Sequence, residues 1–165
     1  MKDRRIMKED LRSGGNILTR AFTLVELMIV LVIIGLIAAI SATSALRARV
    51  QGNEGAVRGA LKSIQSAAIS YRTANGVYAV SLAQMGSAYL GGGLETGSKN
   101  GYDFTWVQGN SGQSYTVTTA PNAPGFSGNN GFCTNANNVI YIYANPAGLS
   151  SDGSNCPSGG TVLTG

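Results

Sequence analysis

The sequence has no histidine, two cysteines, four prolines and few charges, with 12 Lys and Arg against 8 Asp and Glu in 165 residues. Without histidine, the commonest general base and the commonest metal ligand are missing. Two cysteines alone cannot complete a zinc site. Charged residues make up 12% of the chain, about half the usual ~25%. That excludes an acidic disordered chain and a strongly basic nucleic-acid binder. The glycine-rich stretches hold neither GxxxxGK[ST] nor a strand-borne GxGxxG, so phosphate cradling is not indicated. No nucleophile–base constellation is visible. The composition reads as non-enzymatic, with no cofactor and no metal.

What is present is unevenly placed. The net charge is +4, but residues 1–21 hold Lys2, Arg4, Arg5, Lys8, Arg12 and Arg20 against only Asp3, Glu9 and Asp10. Residues 22–165 are nearly neutral, with six cations and five acids. Of the 23 glycines, 16 lie from Gly86 onward. After Arg20 the chain becomes apolar, and residues 27–46 are 20 consecutive positions without a charge. That is roughly the 20 residues a helix needs to cross a bilayer's hydrocarbon core. Residues 27–40 show no polar stripe, unlike a buried core helix. Three architectures fit: a secretory signal peptide cut near the small residues after Ile40, an uncleaved signal anchor, or a short basic leader cut before the apolar run so that the run is kept.

The order of features selects among them. A basic leader is followed by Ala21-Phe22-Thr23-Leu24-Val25-Glu26-Leu27 and then by the apolar run. This junction resembles the leader junction of type IV pilins and type II secretion pseudopilins. The resemblance is close over residues 20–40. It implies that a prepilin peptidase cuts between Ala21 and Phe22, on the cytoplasmic side, and that the new Phe22 amine is methylated. Residues 1–21 would then be a removed leader, 22–75 a long helix serving as membrane anchor and assembly core, and 76–165 a β-rich head. Two departures are visible: Ala21 stands where the family usually has Gly, and no Pro precedes Pro121.

Glu26 is the only charge inside the larger apolar segment. A charge at the bilayer centre costs about 2.5–3.5 kcal/mol on insertion scales. The resemblance implies a role in assembly, with Glu26 of one subunit pairing with the Phe22 amine of its neighbour. The alternative is a carboxylate that stays wet at the headgroup level.

Beyond Leu46 the pattern becomes amphipathic. Val50, Val57, Leu61, Ile64, Ala68 and Tyr71 fall on one helical face. Gly52, Gly55 and Gly59 weaken this stretch by about 1 kcal/mol each relative to Ala. Asn75-Gly76 is a stop signal. A continuous helix over residues 22–74 would be about 80 Å long. Residues 77–90 read as a connection with a short helical turn around residues 81–85. The runs YDFTWVQ (102–108), SYTVTT (114–119) and VIYIY (139–143), separated by Gly-Asn clusters, predict an antiparallel sheet of three to four strands packed on the amphipathic half of the helix. Trp106, Tyr115, Phe132 and Ile140 are the expected core. The fold class is therefore α+β, pilin-like.

Cys133 and Cys156 would form one disulfide in an exported domain, worth roughly 3.5 kcal/mol in the chain-entropy model; the other possibility is two free buried thiols. Many pilins carry such a C-terminal disulfide loop. The function implied is a structural subunit that polymerises into a pilus, with a pseudopilin of a type II secretion system as the alternative. The implied partners are copies of the chain, the prepilin peptidase and the inner-membrane assembly machinery. The resemblance implies a basic leader kept cytoplasmic, a subunit in the inner membrane with a periplasmic head before assembly, and then an extracellular pilus, or a periplasmic filament for a pseudopilin. Major pseudopilins often bind calcium near the C-terminus, but Asp152 is the only acid after Asp103, a poor set for a cation that takes 6–8 oxygen ligands.

Overall fold

A computed structural model describes residues 22–163, with the side chains of 41–43 omitted. The leader, Ala21 included, lies outside the described residues. The chain divides into two units, 1–41 and 42–165. Helix α1 (Leu24–Asn75) contributes to both.

In the first unit α1 carries aliphatic side chains on every side. Leu24, Leu27, Leu31, Val32, Leu36 and Ile40 are all exposed. No residue from 22 to 40 is buried.

In the second unit the periodicity of α1 takes effect. Val57, Leu61, Ile64 and Ala68 turn one face into the core. Glycine stops the helix where expected: Gly76 takes φ +78°, and its N–H donates to the Arg72 carbonyl at 2.7 Å. Such a left-handed position suits a residue without Cβ. Helix α2 (Leu82–Tyr89) follows, broken at Gly86. Its cap is Ser81, whose hydroxyl accepts from the Gln84 N–H at 3.1 Å. The expected turn is the start of this helix.

The sheet has six antiparallel strands in sequence order, not three to four. They are β1 (Ser98–Lys99), β2 (Tyr102–Gly109), β3 (Ser114–Pro121), β4 (Gly131–Asn135), β5 (Ile140–Tyr143) and β6 (Thr161–Val162). The three predicted runs are β2, β3 and β5. The β1–β2 hairpin turns at Asn100-Gly101, both at positive φ, with Lys99 paired to Tyr102, as an Asn-Gly two-residue turn requires. Trp106 pairs with Val117, and Thr118 with Cys133.

Tyr102, Tyr115, Val117, Phe132 and Ile140 face α1 in the core, and Trp106 is half-buried against it. The Trp106 ring stacks on Tyr115 with centroids 4.5 Å apart, and its Nε1 donates to the Ala79 carbonyl at 2.9 Å. Tyr115 in turn meets Tyr78 edge-on at 4.7 Å, and the Arg72 guanidinium lies over Tyr78 at 4.9 Å.

The other face of the sheet is covered as well. Thr116 and Thr118, on that face, are buried. The C-terminal segment lies across it, with Thr116 Oγ1 bonded to Ser151 Oγ at 2.5 Å and Ser114 Oγ to Ser154 Oγ at 3.1 Å. Two glycine backbones make this approach possible: a Cβ on Gly109 would stand 2.5 Å from the carbonyl carbon of Gly153. Cys133 and Cys156 are joined in a disulfide that ties the segment to β4.

Candidate membrane and assembly site

The site predicted from the sequence is the start of α1. Thr23 caps the helix: its Oγ1 accepts from the Glu26 N–H at 3.2 Å, and its carbonyl accepts from the Leu27 N–H at 3.2 Å. Thr23-Leu24-Val25-Glu26 has the T-x-x-E spacing of a capping box. That spacing is the local sequence signal for Thr23 as the cap. Glu26 thus occupies the third helical position, where the unsatisfied N–H groups of the helix start favour an anion. Its side chain is exposed. Phe22, one residue before the cap, is 77% exposed.

Downstream of Glu26, α1 is long and apolar enough to cross a membrane, and none of that window is buried. Aliphatic surface of this extent is not left in water; it is covered by lipid or by protein. Residues 18–42 match the family model described as the prokaryotic N-terminal methylation motif. The chain carries a prepilin-type N-terminus. The matched segment is the leader junction of type IV pilins and pseudopilins; it begins before Ala21 and takes in Phe22, Glu26 and the exposed part of α1. It does not reach the head, and no curated protein matches the chain. The prepilin motif and the membrane-capable helix together fit membrane anchoring before assembly, and imply processing by prepilin peptidase and assembly in a membrane system.

The remaining site residues, Cys133 and Cys156, belong to the head and are bonded to each other. Within their loop, Asp152 Oδ1 accepts from the N–H groups of Ser154 and Asn155, both at 2.8 Å. The Asn155 N–H, with that of Ser154, holds the Asp152 carboxyl below the usual carboxylate range.

A second arrangement, within the head, joins residues far apart in the sequence. Asn53 and Glu54 on α1 grip the loop between β3 and β4. Asn53 Nδ2 donates to the Ser127 carbonyl at 2.9 Å. The Glu54 carboxylate accepts from the Asn129 and Asn130 N–H groups at 2.9 and 3.1 Å and from Asn130 Nδ2 at 3.0 Å. The only sequence signal is that Glu54 is the lone acid among the cations of residues 47–72.

Proposed function

We propose that this chain is a pilin. It is cut between Ala21 and Phe22, methylated on the Phe22 amine, held in the inner membrane by residues 22–46 with its head on the periplasmic side, and polymerised into a type IV pilus. The observation that carries this reading is the prepilin motif running directly into an apolar helix half with no core of its own. Such helices bury one another in a filament as readily as in lipid, so extraction from the membrane is tolerable. Glu26 sets the axial register by pairing with the Phe22 amine of the neighbouring copy. Its position in the first turn, three residues after the Thr23 cap, supports this role by setting a carboxylate at the helix start.

The pseudopilin alternative shares every one of these parts. What favours a pilus is the C-terminal loop, whose single carboxylate, Asp152, already spends one oxygen on its own turn, leaving little for a calcium ion.

Mass spectrometry of the mature chain from cells tests the processing step. A methylated N-terminus at Phe22 is expected, and one beyond Ser41 overturns the reading. Glu26→Ala leaves processing intact and reduces filaments; normal filaments from that variant refute the pairing. Deletion of the gene separates the two systems: loss of surface filaments marks a pilin, and loss of secretion with intact pili marks a pseudopilin.

A further inference from the structure

The head carries an exposed aromatic on a braced loop. Phe126 is 66% exposed. It follows a turn in which Pro124 and Gly125 occupy the two central positions, Gly125 has φ +86°, and the Phe126 N–H donates to the Ala123 carbonyl at 3.0 Å. Pro then Gly is the residue pair that a type II turn favours. Ser127 Oγ caps the same turn, accepting from the Ala123 N–H at 3.0 Å. With the Asn53 and Glu54 bonds to Ser127, Asn129 and Asn130 added, the loop has little freedom left to lose on binding. A pre-ordered anchor is what makes an exposed aromatic effective in an interface.

The head also carries a groove of about 690 Å³ between α1 and the β5–β6 edge. Gly55 and Gly59 belong to its helical wall with Arg58 and Lys62, and Ile140 and Val162 supply apolar surface. Nothing in the chain's own packing requires those glycines: a Cβ on either would meet no atom within 4 Å. Each still weakens the helix by about 1 kcal/mol. Val162 in this groove is 48% exposed. At 100° per residue, Gly55, Gly59 and Lys62 lie about 80–140° around α1 from Glu54, which braces the loop, and Arg58 lies between them and Glu54.

We propose that the Phe126 turn of one copy seats in the Gly55–Gly59 groove of the next, its ring against Ile140 and Val162 and beside Arg58 and Lys62. The bare helix wall admits the ring, and the two cations meet its negative face. Knob and groove share no residue, so the contact is heterologous and repeats head-to-tail, as an open helical polymer demands. This inference rests on the filament reading above and assigns the head its part in that filament.

The test uses the full chain in cells that assemble it. In filaments of the double variant Asn122→Cys with Val162→Cys, which keeps the Phe126 ring, oxidation yields a reducible ladder of multimers, and neither single variant does. Filaments of the double variant that give no ladder overturn the contact and leave the pilin reading standing. Gly59→Leu, which has open space within its own chain, lowers filament yield about tenfold without lowering the melting temperature of the head. A normal yield from Gly59→Leu overturns the contact too. Absence of any filament from the unsubstituted chain overturns the pilin reading and this contact with it.

Discussion

Leu31 and Leu61 are the same residue on the same helix, yet Leu31 is 60% exposed and Leu61 is fully buried. Around Leu31 every neighbour in sequence is apolar, so no face of the helix is distinguished, and none of residues 22–40 is buried among the described residues. Around Leu61 the apolar residues recur every three or four positions, and the face they form meets the sheet. Total hydrophobicity is higher where burial is nil. Periodicity, not apolar content, marks the half of α1 that finds its partner within its own chain; a uniformly apolar stretch is addressed to lipid or to other chains.

That contrast can be broken by mutation. Leu61→Ala is expected to cost the head about 2–5 kcal/mol in chemical denaturation, whereas Leu31→Ala should shift the same transition by less than about 0.5 kcal/mol. Equal effects would mean that the apolar half also stabilises the head. Replacing Cys133 and Cys156 together with Ser should remove roughly 3.5 kcal/mol, and dithiothreitol should reproduce the loss in the parent chain. Thr23→Ala should weaken the helix start by about 1 kcal/mol, seen as faster amide exchange of Glu26 in micelles, with the melting of the head unchanged.

The smallest effect belongs to Tyr115→Phe. The Tyr115 hydroxyl is buried with no hydrogen-bond partner among the described residues, so its removal should be neutral or slightly stabilising. The same variant should alter the alkaline limb of stability. Burial, with the Glu54 charge adding to it, pushes the Tyr102 phenol from 10.0 up to about 12. Burial, with Tyr78 adding to it, raises Tyr115 further. The unfolded phenols therefore ionise first, and stability falls as pH climbs above about 10. Tyr115→Phe should make that fall shallower in denaturation curves collected across the range.

The junction, the apolar run, the amphipathic face, the stop at Asn75-Gly76 and three of the strands were legible because each rests on local chemistry: charge, periodicity or a turn dipeptide. What escaped was set by distant parts of the chain. Strands β1 and β6 have two residues each, too short for any alternation. Strand β4 is buried along its whole length, so it lacks the half-polar pattern of an exposed strand. Thr116 and Thr118 are buried, and the Thr116 hydroxyl meets Ser151 of the C-terminal segment, a contact from 35 positions away that no local pattern signals. Trp106 was expected in the core and lies half-buried at its margin, packed on the core cluster and bonded to the carbonyl of buried Ala79. The Glu54 brace joins residues 75 and 76 positions apart, a pairing no local pattern encodes.

The stacked pair of Trp106 and Tyr115 also gives the molecule an optical property. The chain has one tryptophan, and it touches β3 through its ring and the segment after α1 through its indole N–H. Its fluorescence therefore comes from a single known place, the seam where helix, connection and sheet meet. A change in emission colour reports water entering that seam, and energy transfer from Tyr115 and Tyr78 reports whether the rings are still together. The opening of the head can be followed without attaching a dye.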